Sequence, residues 1–476
     1  MGIDLGTTNI KAQIADEDGR ILSSGSSPVG IEYSAAGGAE QDIEEIWTAT
    51  QDAVKQASAS GAGQRVRAIG VSSQGGALQV LDHDGRPWGP VIGWQDSRGG
   101  QWDQALTARK GGEWFSSHIG LPKSSSAIGQ LLRLREQGGL PEGFQVAWVG
   151  DLVVGRLCGS RAHDGTSLSE ACLYNPGEGR EDRELLEVLG IGPDRLPALL
   201  TADVPAGTLL PLAAHSLGLP AGIPVGPAVH DQYAAALGCG VVDPGDTMFG
   251  AGTAWVLLAL TASLQPPVAG VGLVGRHPVP GVFGQMLSMV NGGACITWAA
   301  RTLNLGILGV KETDALITSV PVGSSGLRFR PLLSEGGGAG LARELAGRLD
   351  GLRLGHTPAH ILRALIEGLA CEMGRYLRMM AAGGVDVSRL VMCGKAAASM
   401  VTPGIIADTT GLPVDCVTIP ETSSLGAAVL ARGLVEPNPG LAALADEMKP
   451  PVRRVEPGSG STAAREMLRE YISSHE

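Results

Sequence analysis

The sequence predicts an α/β protein built from two related halves that enclose a cleft. Three observations predict it. The chain's 476 residues exceed what one ordinary core holds and suit two large domains. Residues 1 to 16 read as a strand, a Gly6-Thr7-Thr8 turn and a returning strand. From Gly245 the same device recurs as Asp246 to Phe249, the Gly252-Thr253 turn and Trp255 to Leu260, which points to a duplicated core.

In chain order, Asp18-Gly19 marks a second hairpin turn before Ile21-Leu22. Residues 41 to 57 carry Ile43, Ile46, Trp47 and Val54 at helical spacing, and Val66 to Val71 reads as a strand. Gln79 to Leu81 and Val91 to Trp94 read as short strands around the Asp84-Gly85 turn. Residues 100 to 225 hold short helical patterns broken by Pro and Gly, with Asp164 to Asn175 read as an irregular excursion over the cleft.

In the second half, Phe283 to Val290 predicts a strand and Thr297 to Leu303 a helix. Ala359 to Met380 predicts a long helix, because Leu362, Leu365, Ile366, Leu369, Met373, Tyr376, Leu377 and Met380 fall on one stripe that stops at Gly383-Gly384. Leu390 to Cys393 is a strand meeting Gly394, and helices follow near 399 to 410 and 423 to 434, the second with Ser423-Ser424 as caps. Beyond Pro437 the chain is rich in proline and charge, with a final helix from about Thr462 to Ile472.

A formal net charge of −12 argues against a general nucleic-acid binder, which needs a basic footprint. The seven cysteines are odd in number and scattered, with no C-x-x-C pair, and read as reduced thiols. No apolar run approaches the roughly 20 residues that span a bilayer, and the chain enters a strand without a leader pattern. A cytoplasmic protein with no membrane partner is expected. The 71 glycines and 29 prolines, about a fifth of the chain, imply many tight turns and close backbone approaches.

Phosphate is held by backbone N–H groups that approach closely and by hydroxyls that wrap round it, which favours Gly with Thr. Gly6-Thr7-Thr8 and Gly252-Thr253 both meet that need; either turn alone is equally a plain hairpin, but one from each half could grip a triphosphate from two sides. Asp4, on the strand before the first turn, is placed to hold Mg²⁺ through water, or is simply a charged strand residue. Asp231, flanked by His230 and Gln232, is the candidate general base for transfer to an alcohol, its ordinary alternative being a cap or surface turn.

Together these residues resemble the FGGY family of carbohydrate kinases. The motifs that carry the resemblance are Asp4 to Thr8 (DLGTT), Ile69 to Gln74 (IGVSSQ), Trp94 to Arg98 (WQDSR), Leu217 to Val225 before Asp231-Gln232, Gly252-Thr253, Gly293 with Trp298, Gly368, Ala407-Asp408 with Thr410 to Val414 (TGLPV), and Leu425 to Ala428 (LGAA). They run in order from residue 1 to about 434. The resemblance implies two ribonuclease-H-like domains of the actin-like ATPase type around a central cleft, residues 1–240 on the sugar side and 245–435 on the nucleotide side, with 436–476 as a C-terminal extension.

It also implies roles for residues. Asp231 matches the catalytic base, and Gln232, with Gln74, Gly75, Gly76, Trp94, Asp96 and Arg98, matches the sugar or polyol pocket; Asp96 and Arg98 are equally readable as a structural ion pair. Asp4 matches the acid associated with Mg²⁺. Thr7, Thr8, Lys11, Gly252 and Thr253 match phosphate contacts, while Gly293, Thr297, Gly394 and Ser399 match the nucleotide side. ATP and Mg²⁺, a small sugar or polyol acceptor with a ketose such as a pentulose foremost, and a homodimer, common among such kinases, are the implied cofactors and partners.

Three departures stand out. Gly75-Gly76 replaces the Met-His or Arg-Glu pair of xylulokinase-like and glycerol kinases, so a roomier or differently hydrogen-bonded pocket is expected and neither specificity carries over. Cys393 to Ala397 (CGKAA) stands where a Gly-Gly-Gly-Ala turn is usual, and Lys395 either reaches the phosphates or turns outward. Ser334-Glu335-Gly336 keeps the glutamate but not the arginine of a Gly-Glu-Arg loop. These departures keep open two rivals: a sugar or nucleotide sensor that kept the clamshell and lost turnover, and an actin-like ATPase acting on proteins. The second has no need of Trp94 to Arg98 or Asp231-Gln232.

Overall fold

The computed structural model describes every residue except 60, 290, 334–345, 420 and 475–476, so the Ser334-Glu335-Gly336 loop lies outside the described residues. The opening strands form as the alternation predicts. β1 (Gly2–Leu5), buried throughout, pairs antiparallel with β2 (Asn9–Ala15), which pairs with β3 (Ile21–Pro28) across the Asp18-Gly19 turn. Asp42 caps α1 (Ile43–Ser58), its side chain accepting from Glu44 N at 2.8 Å, and α1 buries Ile46, Ala53 and Val54. β4 (Ile69–Ser73) then returns parallel to β1.

The first half continues through α2 (Gly165–Glu170), β5 (Pro224–His230) and α3 (Asp231–Gly238), β5 running parallel to β4. The second half opens with β6 (Asp246–Ala251), β7 (Trp255–Thr261) and β8 (Phe283–Met289), all antiparallel neighbours, then α4 (Gly293–Thr302) and the long α5 (Pro358–Ala382). β9 (Arg389–Cys393) runs parallel to β6, α6 (Thr402–Thr410) follows, and β10 (Val414–Val417) runs parallel to β9. The first sheet, of eight strands, thus contains the run β3-β2-β1-β4-β5, and the second, of seven, the run β8-β7-β6-β9-β10, with matching strand directions. The duplicated core expected from the two Gly-Thr turns is present in full.

The halves share a seam. α7 (Thr422–Val435), although it follows the second sheet in sequence, lies on the first sheet and crosses α3 at very short range. A Cβ on Gly426 would stand 1.7 Å from the Ala234 carbonyl oxygen, and one on Gly238 would stand 2.1 Å from that of Thr422. Only glycine lets the two backbones approach so closely. An apolar cluster containing Val229, Leu237, Met248, Leu258, Val391 and Leu425 joins both sheets to this helix pair.

Several local expectations are revised. Asp164 to Asn175 is partly helical: Asp164 Oδ1 caps α2 by accepting from Thr166 N at 3.0 Å and Ser167 N at 3.2 Å. α4 starts at Gly293 and not at Thr297. Ser423-Ser424 does not cap α7, which starts at Thr422, and Ser424 is buried. Of the residues beyond 435, Leu441–Met448 pack on the α3–α7 pair, while β11 (Val452–Val455) extends the second sheet beside β10 and α8 (Ser461–Ser473) packs on α5 and α6. Among the described residues no helix is long and apolar enough to cross a membrane.

Candidate active site

The carboxyl ends of β1, β4 and β5 face those of β6 and β9, where crossover sheets leave a crevice for ligands. The cleft there holds about 470 Å³. Its walls include Thr7, Lys11, Gln74, Gly75, Trp94, Asp231 and Gln232 from the first half, and Gly252, Thr253 and Gly394 from the second. The structure therefore brings together residues up to 387 positions apart that the sequence singled out separately.

Asp231 is the first residue of α3, and its side chain is 26% exposed at the cleft. Its Oδ1 accepts from Gln232 Nε2 at 3.1 Å and lies 3.1 Å from His230 Nε2. Burial pushes its carboxyl up to about 6, against the Gln232 hydrogen bonds and the Lys11 charge, which favour the anion. Burial also lowers the basicity of His230, although Glu170 opposes this, so the ring is held toward its neutral form. A neutral ring with its proton on Nε2 donates to Asp231 and leaves Nδ1, which has no partner, as an acceptor.

Asp4 sits one layer deeper. It pairs in register with Lys11 on β2 and Ser72 on β4, and its Oδ1 accepts from Ser72 Oγ at 2.9 Å. Burial pushes it up to about 7, with Lys11 pulling down and Asp231 and Glu421 pushing up. Lys11 Nζ reaches Glu421 Oε2 at 2.5 Å across the cleft. Burial disfavours the ammonium, but Asp4, Glu421 and Asp231 outweigh it and raise its pKa.

This surplus of carboxylate fits Mg²⁺, a hard cation usually bound by one or two carboxylates together with substrate phosphates. Asp4, Asp231 and Glu421 surround the single Lys11, and the upward displacement of Asp4 is what a neighbouring dication would reverse. The one cluster of three close ligand atoms among the described residues is the hairpin turn Asp82-His83-Asp84, away from the cleft.

Other expected site residues have different work. Asp96 has no exposed carboxylate: Oδ2 accepts from Ala39 N at 3.0 Å and from Arg98 Nη2 at 2.5 Å, and Oδ1 accepts from Gln130 Nε2 at 3.0 Å. Arg98 also pairs with Glu40 at 2.5 Å, so the structural ion pair is what the two residues form, and neither lines the cleft. Ser399 Oγ donates to Asp314 Oδ1 at 2.5 Å and accepts from Thr402 N at 2.8 Å, which ties it to the start of α6. Gly293 N and Ala294 N donate to Gly252 O and Thr253 O at 3.1 and 3.0 Å, so α4 braces the second Gly-Thr turn from behind. Thr297, Thr8 and Gly76 also stand outside the cleft lining, and Lys395 is exposed, turned outward.

Of the lining residues that were not assigned from the sequence, four carry ionisable side chains: Glu170, His230, Cys393 and Glu421. His230 and Cys393 adjoin recognised motifs, but Glu170 sits in the poorly legible middle. Of the two expectations for Gly75-Gly76, a roomier or a differently hydrogen-bonded pocket, the contacts at Gly75 favour the second, because Glu170 and His230 occupy the space beside it. A Cβ on Gly75 would stand 2.7 Å from Glu170 Cβ and Cγ and 2.7 Å from His230 Cδ2.

Comparison with known proteins agrees with this architecture. Residues 1–238 match the N-terminal domain, and residues 248–432 the C-terminal domain, of the FGGY family of carbohydrate kinases. The chain is 31% identical over 452 residues to a glycerol kinase of Thermus brockianus, covering 91% of this chain and 89% of that one. It is 26% identical over 465 residues to a xylulose kinase of Escherichia coli (strain K12), covering 94% and 92%. The crystal structure of a xyloylose kinase from Brucella ovis superposes with a TM-score of 0.90 at 22% identity, covering 100% of this chain and 98% of that chain. With both halves matched and the strand order repeated across a common cleft, the chain is a member of the FGGY family of carbohydrate kinases.

Proposed function

We propose that this carbohydrate kinase transfers the γ-phosphoryl group of ATP to a hydroxyl of a small sugar or polyol, with a ketose such as a pentulose as the leading acceptor. The observation that carries this reading is Asp231, a carboxylate of raised basicity at a helix start, facing a cleft whose opposite wall is the Gly252-Thr253 turn. Asp231 takes the proton as the acceptor oxygen forms its bond to the γ-phosphorus. The bond from that phosphorus to the β–γ bridging oxygen breaks, and ADP leaves. At neutral pH a base with a pKa near 6 is mostly ionised yet still basic enough to hold the proton.

Thr7, Lys11, Gly252 and Thr253 supply hydroxyl, ammonium and backbone N–H groups to the phosphates from both halves. Asp4 and Glu421 are the residues that would hold Mg²⁺, the first through water. When bound, the metal offsets charge on the phosphoryl oxygens. Closure of the two halves would exclude water from competing with the acceptor. Lys395, the motive for the sensor reading, is exposed and is not among the residues that line the cleft, whereas Asp231, Thr7, Lys11, Gly252 and Thr253 are.

The test is ADP release measured over pentuloses, hexuloses, alditols and aldonates, with the product confirmed as a phosphate ester by phosphorus NMR. ATP-dependent phosphorylation of at least one acceptor is expected. Tight sugar binding by calorimetry without turnover on any of them would instead establish a sensor.

A further inference from the structure

The wall beside Gly75 is chemically distinctive. Glu170 Oε1 is buried without a hydrogen-bond partner among the described residues, and so are Gln74 Oε1 and His230 Nδ1; all three residues line the cleft beside Asp231. The Gln74 amide orientation follows from its neighbours. Gln41 Nε2 donates to Thr7 O and Gly30 O, which leaves Gln41 Oε1 to accept from Gln74 Nε2 at 2.9 Å and turns Gln74 Oε1 away as an acceptor. With the His230 proton on Nε2, this wall presents three unpartnered acceptor atoms. Buried polar atoms are rarely left unsatisfied, so a run of three in one cleft points to a ligand that donates to them.

We infer that Glu170 and His230, occupying the space that Gly75 leaves, are the acceptor-selecting residues, and that they take a neutral polyol or ketose through its hydroxyl donors while rejecting sugars that carry a carboxylate. The inference rests on the kinase reading above. A hydroxyl can donate to each of the three orphan acceptors, whereas a carboxylate brings only acceptors and a like charge beside Glu170 and Asp231. Lys11 is the one Lys or Arg among the described residues lining the cleft, and it is paired with Glu421. Arg98, the nearest candidate from the sequence, is tied to Asp96 and Glu40.

The test compares kcat and KM for neutral acceptors and for aldonates of equal carbon number in the parent enzyme, Glu170→Gln and Gly75→Ala. Glu170→Gln keeps size and removes charge. Gly75→Ala pushes on both Glu170 and His230. The parent should favour its best neutral acceptor over the aldonate by about a hundredfold or more in kcat/KM, as expected where unpaired buried groups penalise the wrong ligand. Glu170→Gln should narrow that ratio by about tenfold, through a higher KM for the neutral acceptor with KM for ATP nearly constant, and Gly75→Ala should also raise the acceptor KM. A parent that prefers an aldonate, or a preference ratio unmoved by Glu170→Gln, overturns the inference and leaves the kinase reading standing. No turnover with any acceptor in the parent would remove the kinase reading and the inference with it.

Discussion

At Asp231 the opposing influences are burial, which raises the carboxyl, and Lys11 with the Gln232 hydrogen bonds, which lower it. The sign of the pH dependence follows. Below about 6 the base is increasingly protonated, so kcat/KM for the best acceptor should fall by about tenfold per pH unit on the acid side. Lys11 favours the anionic forms of both Asp4 and Asp231. Replacing it by methionine should therefore move the acid limb to higher pH as well as weaken phosphate binding, and an acid limb that stays in place in the Lys11→Met profile would show that Lys11 does not tune the base. Asp231 was legible in the sequence because a polar triplet at a helix start is a local pattern. The partners that hold Ser399 and Arg98, Asp314 and Glu40, were not legible because they lie 85 and 58 positions away. Glu170 left no signal of its own; the signal was the glycine at 75, whose meaning depends on what fills the space beside it.

The elements that position the site depend on the α3–α7 seam. Any side chain on Gly426 meets the Ala234 backbone, which cannot yield as a flexible side chain can. Gly426→Ala should cost about 1–3 kcal/mol or more, the range for overpacking a well-packed interior, and should lower the melting temperature accordingly. Gly404, also helical but with open space around its would-be Cβ, is the control: Gly404→Ala should be neutral or mildly stabilising. Equal melting temperatures for the two variants would mean that the seam relaxes freely. Hairpins and the long α5 were legible because turn glycines and a sustained apolar stripe are short-range signals. The seam was not, since its small residues resemble an ordinary helix start and Ser423-Ser424 resembles a cap.

At the scale of the whole molecule, two sheets of one strand order are joined by a shared apolar cluster and by a helix that belongs in sequence to one half and in space to the other. The halves should therefore unfold as one cooperative unit, giving a single calorimetric transition; two resolved transitions would show that the cluster does not couple them. The repeated Gly-Thr device made the duplication visible in the sequence. The final helix of residues 436–476 was legible, but not where this extension packs: β11 extends a sheet edge and α8 covers the face of α5 that carries Cys371.

The central claim is that Asp231 removes the acceptor proton between two phosphate-gripping turns. Single-turnover phosphorylation by Asp231→Asn, measured with the best acceptor and saturating ATP alongside ATP affinity, tests it most directly. The expected result is a rate lower by roughly 10²–10⁴ with ATP affinity preserved, the size of a lost general base. Phosphorylation at the parent rate would contradict the claim.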